Sequence, residues 1–242
     1  MTGAIAIFVK TPGLSPVKTR LAACIGQHAA EDWYLAAAGA VAEVARTAAM
    51  PVESLIYWAI AECGARWRVC WTGFPQLAQG EGELGARMAR VHTYLVEQHG
   101  FGVLVGADAP QMDAAEVTVM LQWLASGQPR AALGPARDGG FWLFGSNRAI
   151  DPALWNSVTY SRADTLQQFE LALAHCGFDW MQAAALSDVD VAADLERCVA
   201  EIAALPAALP VQSALAIATQ LLIDRVAEQR EQREQREQHD AG

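Results

Sequence analysis

Both lysines of this 242-residue chain, Lys10 and Lys18, stand eight residues apart in the stretch IFVKTPGLSPVKTRLA, residues 7–22, while the other fifteen of its 17 basic residues are arginines. With Arg20 they bring three cations to a loop that follows the first hydrophobic run. An ammonium is a compact point charge and a guanidinium a planar fork, a combination that suits a di- or triphosphate. A solvated loop would also carry such residues, but the confinement of all lysine to one place favours anion binding. The loop is not a P-loop: aligning Lys18-Thr19 on GxxxxGK[ST] puts Val17 and Pro12 where glycines belong, and Pro16 lacks the N–H such a loop aims at phosphate.

Three further stretches carry candidate chemistry. In VLVGADAPQM, residues 103–112, a strand-like run ends at Gly106 and Asp108 follows at once. A carboxylate at a strand end, on the same sheet edge as a phosphate site, suits Mg²⁺ or Mn²⁺ bridging to phosphate oxygens, although it also suits a turn cap. In GPARDGGFWLFG, residues 134–145, Gly139 and Gly140 permit close approach, Phe141 and Trp142 offer a flat apolar wall, and Asp138 stands beside them. That suits a sugar or similar acceptor with Asp138 as base or hydroxyl-orienting group; an ordinary glycine turn fits equally well. In LSDVDVAADL, residues 186–195, alternation puts Asp188 and Asp190 on one side of an extended segment, so one of them can complete a metal site. Capping is the expected role of Asp188 and Asp194, and the segment lacks the central glycine and terminal glutamate of a calcium loop.

Composition bounds the rest. Hydrophobic residues make up 53%, enough for a sizeable core, and 17 basic against 27 acidic residues give a net charge of −10. A broad basic surface is thereby excluded, and no nucleic-acid partner is expected. Five cysteines lie far apart with no CxxC pair, so reduced, mostly buried thiols are expected rather than a zinc knuckle or a disulfide framework. Scattered histidines, with no HExxH or GxSxG, support neither a zinc nor a serine hydrolase. The chain starts without a basic n-region or cleavage site, which points to the cytoplasm. The uncharged segment 202–223 is long enough for a membrane span, but Pro206, Pro210, Gln212, Ser213 and Gln220 make it a poor one, and no membrane insertion is expected. No feature of the sequence specifies an oligomeric state.

The elements that must position these residues alternate. A short β-branched run over 4–9 enters the lysine loop, and an alanine-rich helix follows from about His28 to Met50. SLIYWAI and WRVCW read as strands, GELGARMARVHTYLVEQHG as a helix, FGVLVG as a strand, and DAAEVTVMLQWLAS as a helix capped by Asp113. Two apolar runs then flank the Asp138 turn before a helix from about Ala163 to His175. This order predicts a three-layer α/β/α sandwich with a mainly parallel sheet, whose ligands sit beyond the carboxyl ends of the strands. Residues 1–205 read as the domain and 206–242 as a helical extension. Its EQREQREQHDAG end has a period that holds no single helix face and is expected to be solvated and frayed.

Taken in order, KTPGLSPVKTRLA, QGEGELGARM, GADAPQM, GPARDGGFWLFG, TYSRADT and DVDVAADL resemble the bacterial DUF2064 proteins, a glycosyltransferase-A-type group also labelled selenodomain-associated transferase 1, over about residues 5–197. The resemblance implies a nucleotide-diphospho-sugar transferase fold, with Lys18 and Arg20 on phosphate, Asp108 on a divalent metal and Asp190 as a second ligand; Lys10, at the strand's edge, then reads as a secondary contact. It places Gln79, Gly80 and Gly85 on a loop that reads the base in related sugar nucleotidyltransferases, and turns Asp138 and Gly139 toward the transferred group. The chain departs from the family pattern in having alanines on either side of Asp108, Tyr160-Ser161-Arg162 in place of Trp-Ser-Thr at the acceptor end, and Phe141-Trp142 in place of two tyrosines. The leading reading is a metal-dependent glycosyltransferase using a nucleotide-sugar donor and a small-molecule acceptor; the alternatives are a guanylyltransferase-like nucleotidyltransferase using a nucleoside triphosphate and releasing pyrophosphate, and a nucleotide-binding module without catalysis.

Overall fold

Strand β1 (Ala4–Val9) is an almost uninterrupted buried run, as befits a central strand covered on both faces. The computed structural model describes residues 2–62 and 70–240. After β1 come α1 (Thr19–Ile25), α2 (Gln27–Ala49), a 3₁₀ turn, β2 (Leu55–Ile60), β3 (Gln76–Ala78), α3 (Leu84–His99), β4 (Gly102–Gly106), α4 (Ala114–Leu124) and β5 (Arg130–Pro135). The chain continues through β6 (Phe141–Ser146), α5 (Pro152–Ser157), α6 (Thr165–His175), β7 (Asp179–Gln182), α7 (Ala192–Ala203) and α8 (Pro210–Asp240).

The sheet order is β3-β2-β1-β4-β6-β5-β7. Strands β3, β2, β1 and β4 run parallel, β6 runs antiparallel to both β4 and β5, and β7 runs parallel to β5. The predicted three-layer architecture with a mainly parallel sheet is therefore present. Alternation along β1 divides the core: Ile5, Ile7 and Val9 pack with Val41, Val44, Met120 and Leu121 on the α2/α4 face, whereas Ala4 and Ala6 pack with Leu95, Trp155 and Phe169 on the α3/α5/α6 face.

A third cluster joins Leu21, Trp33 and Ala37 to Leu195, Ile202 and Leu215, so α7 and α8 form an outer layer on α2. The segment 202–223 is broken between Ala203 and Pro210 rather than forming one continuous helix. Among the described residues the helix long and apolar enough to cross a membrane is instead 27–52, and half of it is buried inside the fold. Helix α8 continues to Asp240.

Several local expectations need correction. Most of WRVCW, residues 67–69, lies outside the described residues, and Trp71 follows a turn rather than ending a strand; the edge strand here is β3. Cys63 also lies outside them, and of the other four cysteines Cys24, Cys70 and Cys176 are exposed, with Cys198 alone buried. Their positions explain this: Cys24 lies in the short α1, Cys70 in a turn and Cys176 at the end of α6.

Candidate active site

The chain order switches between β1 and β4, because β2 and β3 extend the sheet to one side of β1 and β4 begins the other. Such a switch leaves a crevice at the carboxyl ends of the strands. A cavity of about 290 Å³ lies there, with Phe8, Val17 and Leu84 among its walls and Lys10, Lys18, Asp108 and Asp190 among its polar groups. The loop after β1 supplies the lysines, the turn after β4 supplies Asp108, and the segment before α7 supplies Asp190.

Lys18 is the hinge of this arrangement. It precedes α1 in the left-handed region, φ 45°, a conformation that non-glycine residues adopt only when their surroundings hold them there. Its side chain is 6% exposed, and Nζ donates to Asp108 Oδ2 at 2.7 Å and to Asp190 Oδ1 at 3.0 Å. Burial works to lower the ammonium's pKa, but the charges and hydrogen bonds of Asp108 and then Asp190 outweigh it and hold Lys18 above its ordinary value. Arg20 reaches Asp190 Oδ2 at 3.6 Å from a largely exposed position. The Lys10 side chain is exposed and makes no ion pair among the described residues, while its backbone N–H is fixed by the buried Tyr34 hydroxyl at 2.9 Å.

Asp188 belongs to the site, contrary to its expected capping role. Its Oδ1 is shut off from solvent and has no hydrogen-bond partner among the described residues. Burial raises its pKa first, Asp108 raises it further, and Asp138 and Asp190 add to this against the opposing charge of Lys18. Asp194, as expected, is a cap: its Oδ2 accepts from the N–H groups of Asp190 and Val191, both at 2.9 Å. The alternation of Asp188 with Asp190 was the available signal; the orphaned oxygen appears only once the chain is folded.

Two oxygens from separate loops, on Asp108 and Asp190, thus converge on one cationic atom. No group of three or more His, Cys, Asp or Glu side chains among the described residues is placed to hold a metal ion. This donor set nonetheless fits Mg²⁺ or Mn²⁺, since Mg²⁺ is typically held by one or two carboxylates and completes its shell with phosphate oxygens and water.

Beyond Leu84, which lines both cavities, a second cavity of about 160 Å³ is bounded by Met88, Asp138, Phe141, Tyr160, Ser161 and Asp188. Asp138 and Gly140 form the tip of the β5–β6 turn, where the Gly140 N–H donates to Asp138 Oδ1 at 2.9 Å. Gly139 adopts φ +93°, and a Cβ there would run into the Ala163 carbonyl. Ser161, φ 60°, closes the rim.

Other predicted residues lie elsewhere. Trp142 is 2% exposed, packs under Gly134 on the α2/α4 face and donates its indole N–H to Ala184 O, so it is no substrate wall; neighbouring strand residues face opposite sides, and Phe141 takes that position. Gln79 lines the first cavity, but its amide is occupied by the Val9 and Ala59 carbonyls. Gly80, φ +78°, makes room for the Arg90 guanidinium, which binds the Gln79 and Glu81 carbonyls. Gly85 lies within α3 and faces Tyr160 and the Trp155 carbonyl, which makes it a packing residue rather than part of the base-reading loop.

A family described as "Uncharacterized protein conserved in bacteria (DUF2064)" matches residues 34–162, a span that holds Asp108 and Asp138 but not the Lys18 loop or Asp190. No curated protein matches the sequence. Among solved structures, a candidate nucleotide-diphospho-sugar transferase from Desulfovibrio desulfuricans G20 is similar with a TM-score of 0.79 at 23% identity, covering 93% of this chain and 99% of its own. CMP:2-keto-3-deoxy-manno-octonic acid synthetase, solved with CTP, is similar with a TM-score of 0.53 at 15% identity over 84% of this chain and 99% of its own. These likenesses show the fold, that of nucleotide-diphospho-sugar transferases and sugar nucleotidyltransferases.

Proposed function

The chain belongs to the DUF2064 family, and from its site we propose that it is a metal-dependent glycosyltransferase that takes a nucleotide-sugar donor in the crevice between β1 and β4. The observation that carries this reading is the convergence of Asp108 and Asp190 on Lys18 Nζ at 2.7 and 3.0 Å, at the switch point of the sheet and next to a second cavity headed by Asp138.

Asp108 and Asp190 would hold Mg²⁺ or Mn²⁺, which when bound supplies charge neutralisation to the leaving diphosphate. Arg20 and Lys10, exposed at the mouth, attract the phosphates, and Lys18 is close enough to exchange its carboxylate partners for phosphate oxygens. The apolar walls Phe8, Val17 and Leu84 exclude water from the donor. Asp138, exposed at its turn, is the group positioned to accept the acceptor's proton.

A second reading is a nucleotidyltransferase, supported by the shared fold with a synthetase solved with CTP. The two differ in what leaves: a nucleoside diphosphate in glycosyl transfer, pyrophosphate in nucleotidyl transfer.

The test is a thermal-shift panel of nucleoside diphosphates, nucleoside triphosphates and sugar nucleotides, with and without Mg²⁺ or Mn²⁺. A ligand at a hundredfold its dissociation constant should add about 2.7 kcal/mol. The reading requires a metal-dependent shift that Asp108→Ala abolishes. No shift with any nucleotide, or an equal shift in Asp108→Ala, refutes the donor site, and absence of turnover despite binding leaves a binding module.

A further inference from the structure

The 160 Å³ cavity beside the donor crevice is chemically lopsided. Leu84, Met88 and Phe141 give it an apolar and aromatic side suited to the C–H face of a small ring. Its polar lining includes two carboxyl groups, Asp138 and Asp188, beside Tyr160 and Ser161, and among the described residues no basic side chain lines it. The guanidiniums flanking it in sequence are engaged elsewhere: Arg162 pairs with Asp164 at 2.9 Å and Arg137 with Glu201 at 3.4 Å. An anionic group entering here meets the Asp138 carboxylate, and among the described residues no basic side chain lines the cavity to offset it, whereas a ligand O–H or N–H is a suitable partner for that carboxylate.

We propose that this cavity selects the acceptor by charge: it takes a small, uncharged or cationic polyhydroxy or amino compound and rejects phosphate esters and carboxylates. The proposal rests on the glycosyltransferase reading and deepens it. In the transfer, an acceptor O–H or N–H attacks the anomeric carbon of the nucleotide-sugar. The new bond forms as the bond from that carbon to the diphosphate oxygen breaks, its electron pair leaves with the nucleoside diphosphate, and the proton passes to the Asp138 carboxylate. Neither oxidant nor reductant is needed. A phosphorylated acceptor, which the nucleotidyltransferase reading uses, does not suit this cavity.

The test compares three probes of nearly the same ring, glucose, glucosamine and glucose 6-phosphate, by ligand-observed saturation-transfer NMR in EDTA, so that phosphate cannot gather on a divalent metal. Wild type is compared with Asp138→Asn and Asp188→Asn, whose amides keep the shape of the site, and an unfolding curve shows that each variant is folded. Glucose and glucosamine should bind at least tenfold more tightly than glucose 6-phosphate, and Asp138→Asn should narrow the gap at least fivefold, with Asp188→Asn changing it less. Equal or tighter binding of glucose 6-phosphate, a gap that Asp138→Asn leaves unchanged, or binding of none of the three overturns the proposal. Nucleotide binding is measured separately: a chain that shifts with nucleotide but binds no neutral sugar refutes the acceptor assignment alone, and the converse refutes the donor site alone.

Discussion

Lys18 Nζ lies 2.7 Å from Asp108 Oδ2, and the Lys18 side chain is almost entirely shielded from solvent. Lys18 therefore stands at the point on which the two candidate metal ligands converge. Without nucleotide, the ammonium and a divalent cation compete for the same oxygens. Lys18→Met should then bind Mn²⁺ more tightly than wild type in the absence of nucleotide, by at least threefold in an electron paramagnetic resonance titration. The same substitution should weaken nucleotide binding at least tenfold, about 1.4 kcal/mol. Lys10→Met, which removes an exposed cation, should change both by less than threefold. Equal effects at the two lysines would refute the unequal roles assigned to them.

Gly139 fixes the Asp138 turn. Its φ of +93° is strained for any L side chain, and a Cβ would strike backbone at Ala163, which cannot swing aside as a flexible side chain can. Gly139→Ala should lower stability by at least about 2 kcal/mol, read from the urea midpoint. Gly140→Ala is the control: its Cβ would meet the Asp138 carboxylate at 3.2 Å and its φ lies outside the left-handed region, so a loss below about 1 kcal/mol is expected.

The long periodic elements were legible in the sequence because their patterns are local: β1, β2, α2, α3, β4 and α4 all lie within a few residues of the runs that announce them. The short ones were not. Helix α1 follows Lys18 without a side-chain cap, and β3 has three residues. Lys18, Asp108 and Asp190 could each be picked out by type and position, but Lys18 meets them across 90 and 172 residues of chain, and no local pattern encodes that meeting. Period-two alternation shows that Phe141 and Trp142 cannot share a wall; which of them is buried depends on β5 and on the helices that cover the sheet.

His92 makes stability depend on pH. Its ring is fully buried against Phe144 and Trp155, and burial pushes its pKa down to about 3. Ser146 Oγ donates its proton to Arg148 O at 2.7 Å, so it accepts from His92 Nε2, and the ring is neutral with Nδ1 unpartnered among the described residues. Above the unfolded value of about 6.5 the group is neutral in both states; as the pH falls from 6.5 toward 3, the unfolded chain takes up a proton that the folded chain refuses, and stability is lost. Between pH 7.5 and 5 this should remove about 2 kcal/mol. His92→Gln cannot titrate and should flatten that part of the stability profile in urea unfolding, even if the substitution lowers stability at every pH. An unchanged slope would place the pH dependence elsewhere.

Gln212 ties the outer helix to the site. The segment around it is apolar enough to have raised the question of a membrane span, yet this side chain is 1% exposed because it is used: Nε2 donates to Pro110 O at 2.7 Å and to Met112 O at 2.9 Å, and Oε1 accepts from Leu209 N. Those two carbonyls lie two and four residues after Asp108, so α8 braces the turn that presents the carboxylate. Gln212→Ala leaves both carbonyls without that donor and should lower stability by about 1–3 kcal/mol. Gln220→Ala, which removes an exposed bond to Asp224, should change it by less than about 0.5 kcal/mol. If the brace acts on the site, Gln212→Ala should also speed hydrogen exchange over residues 107–112 more than in the body of β4. Uniform acceleration along the chain would reduce Gln212 to a general contribution to stability.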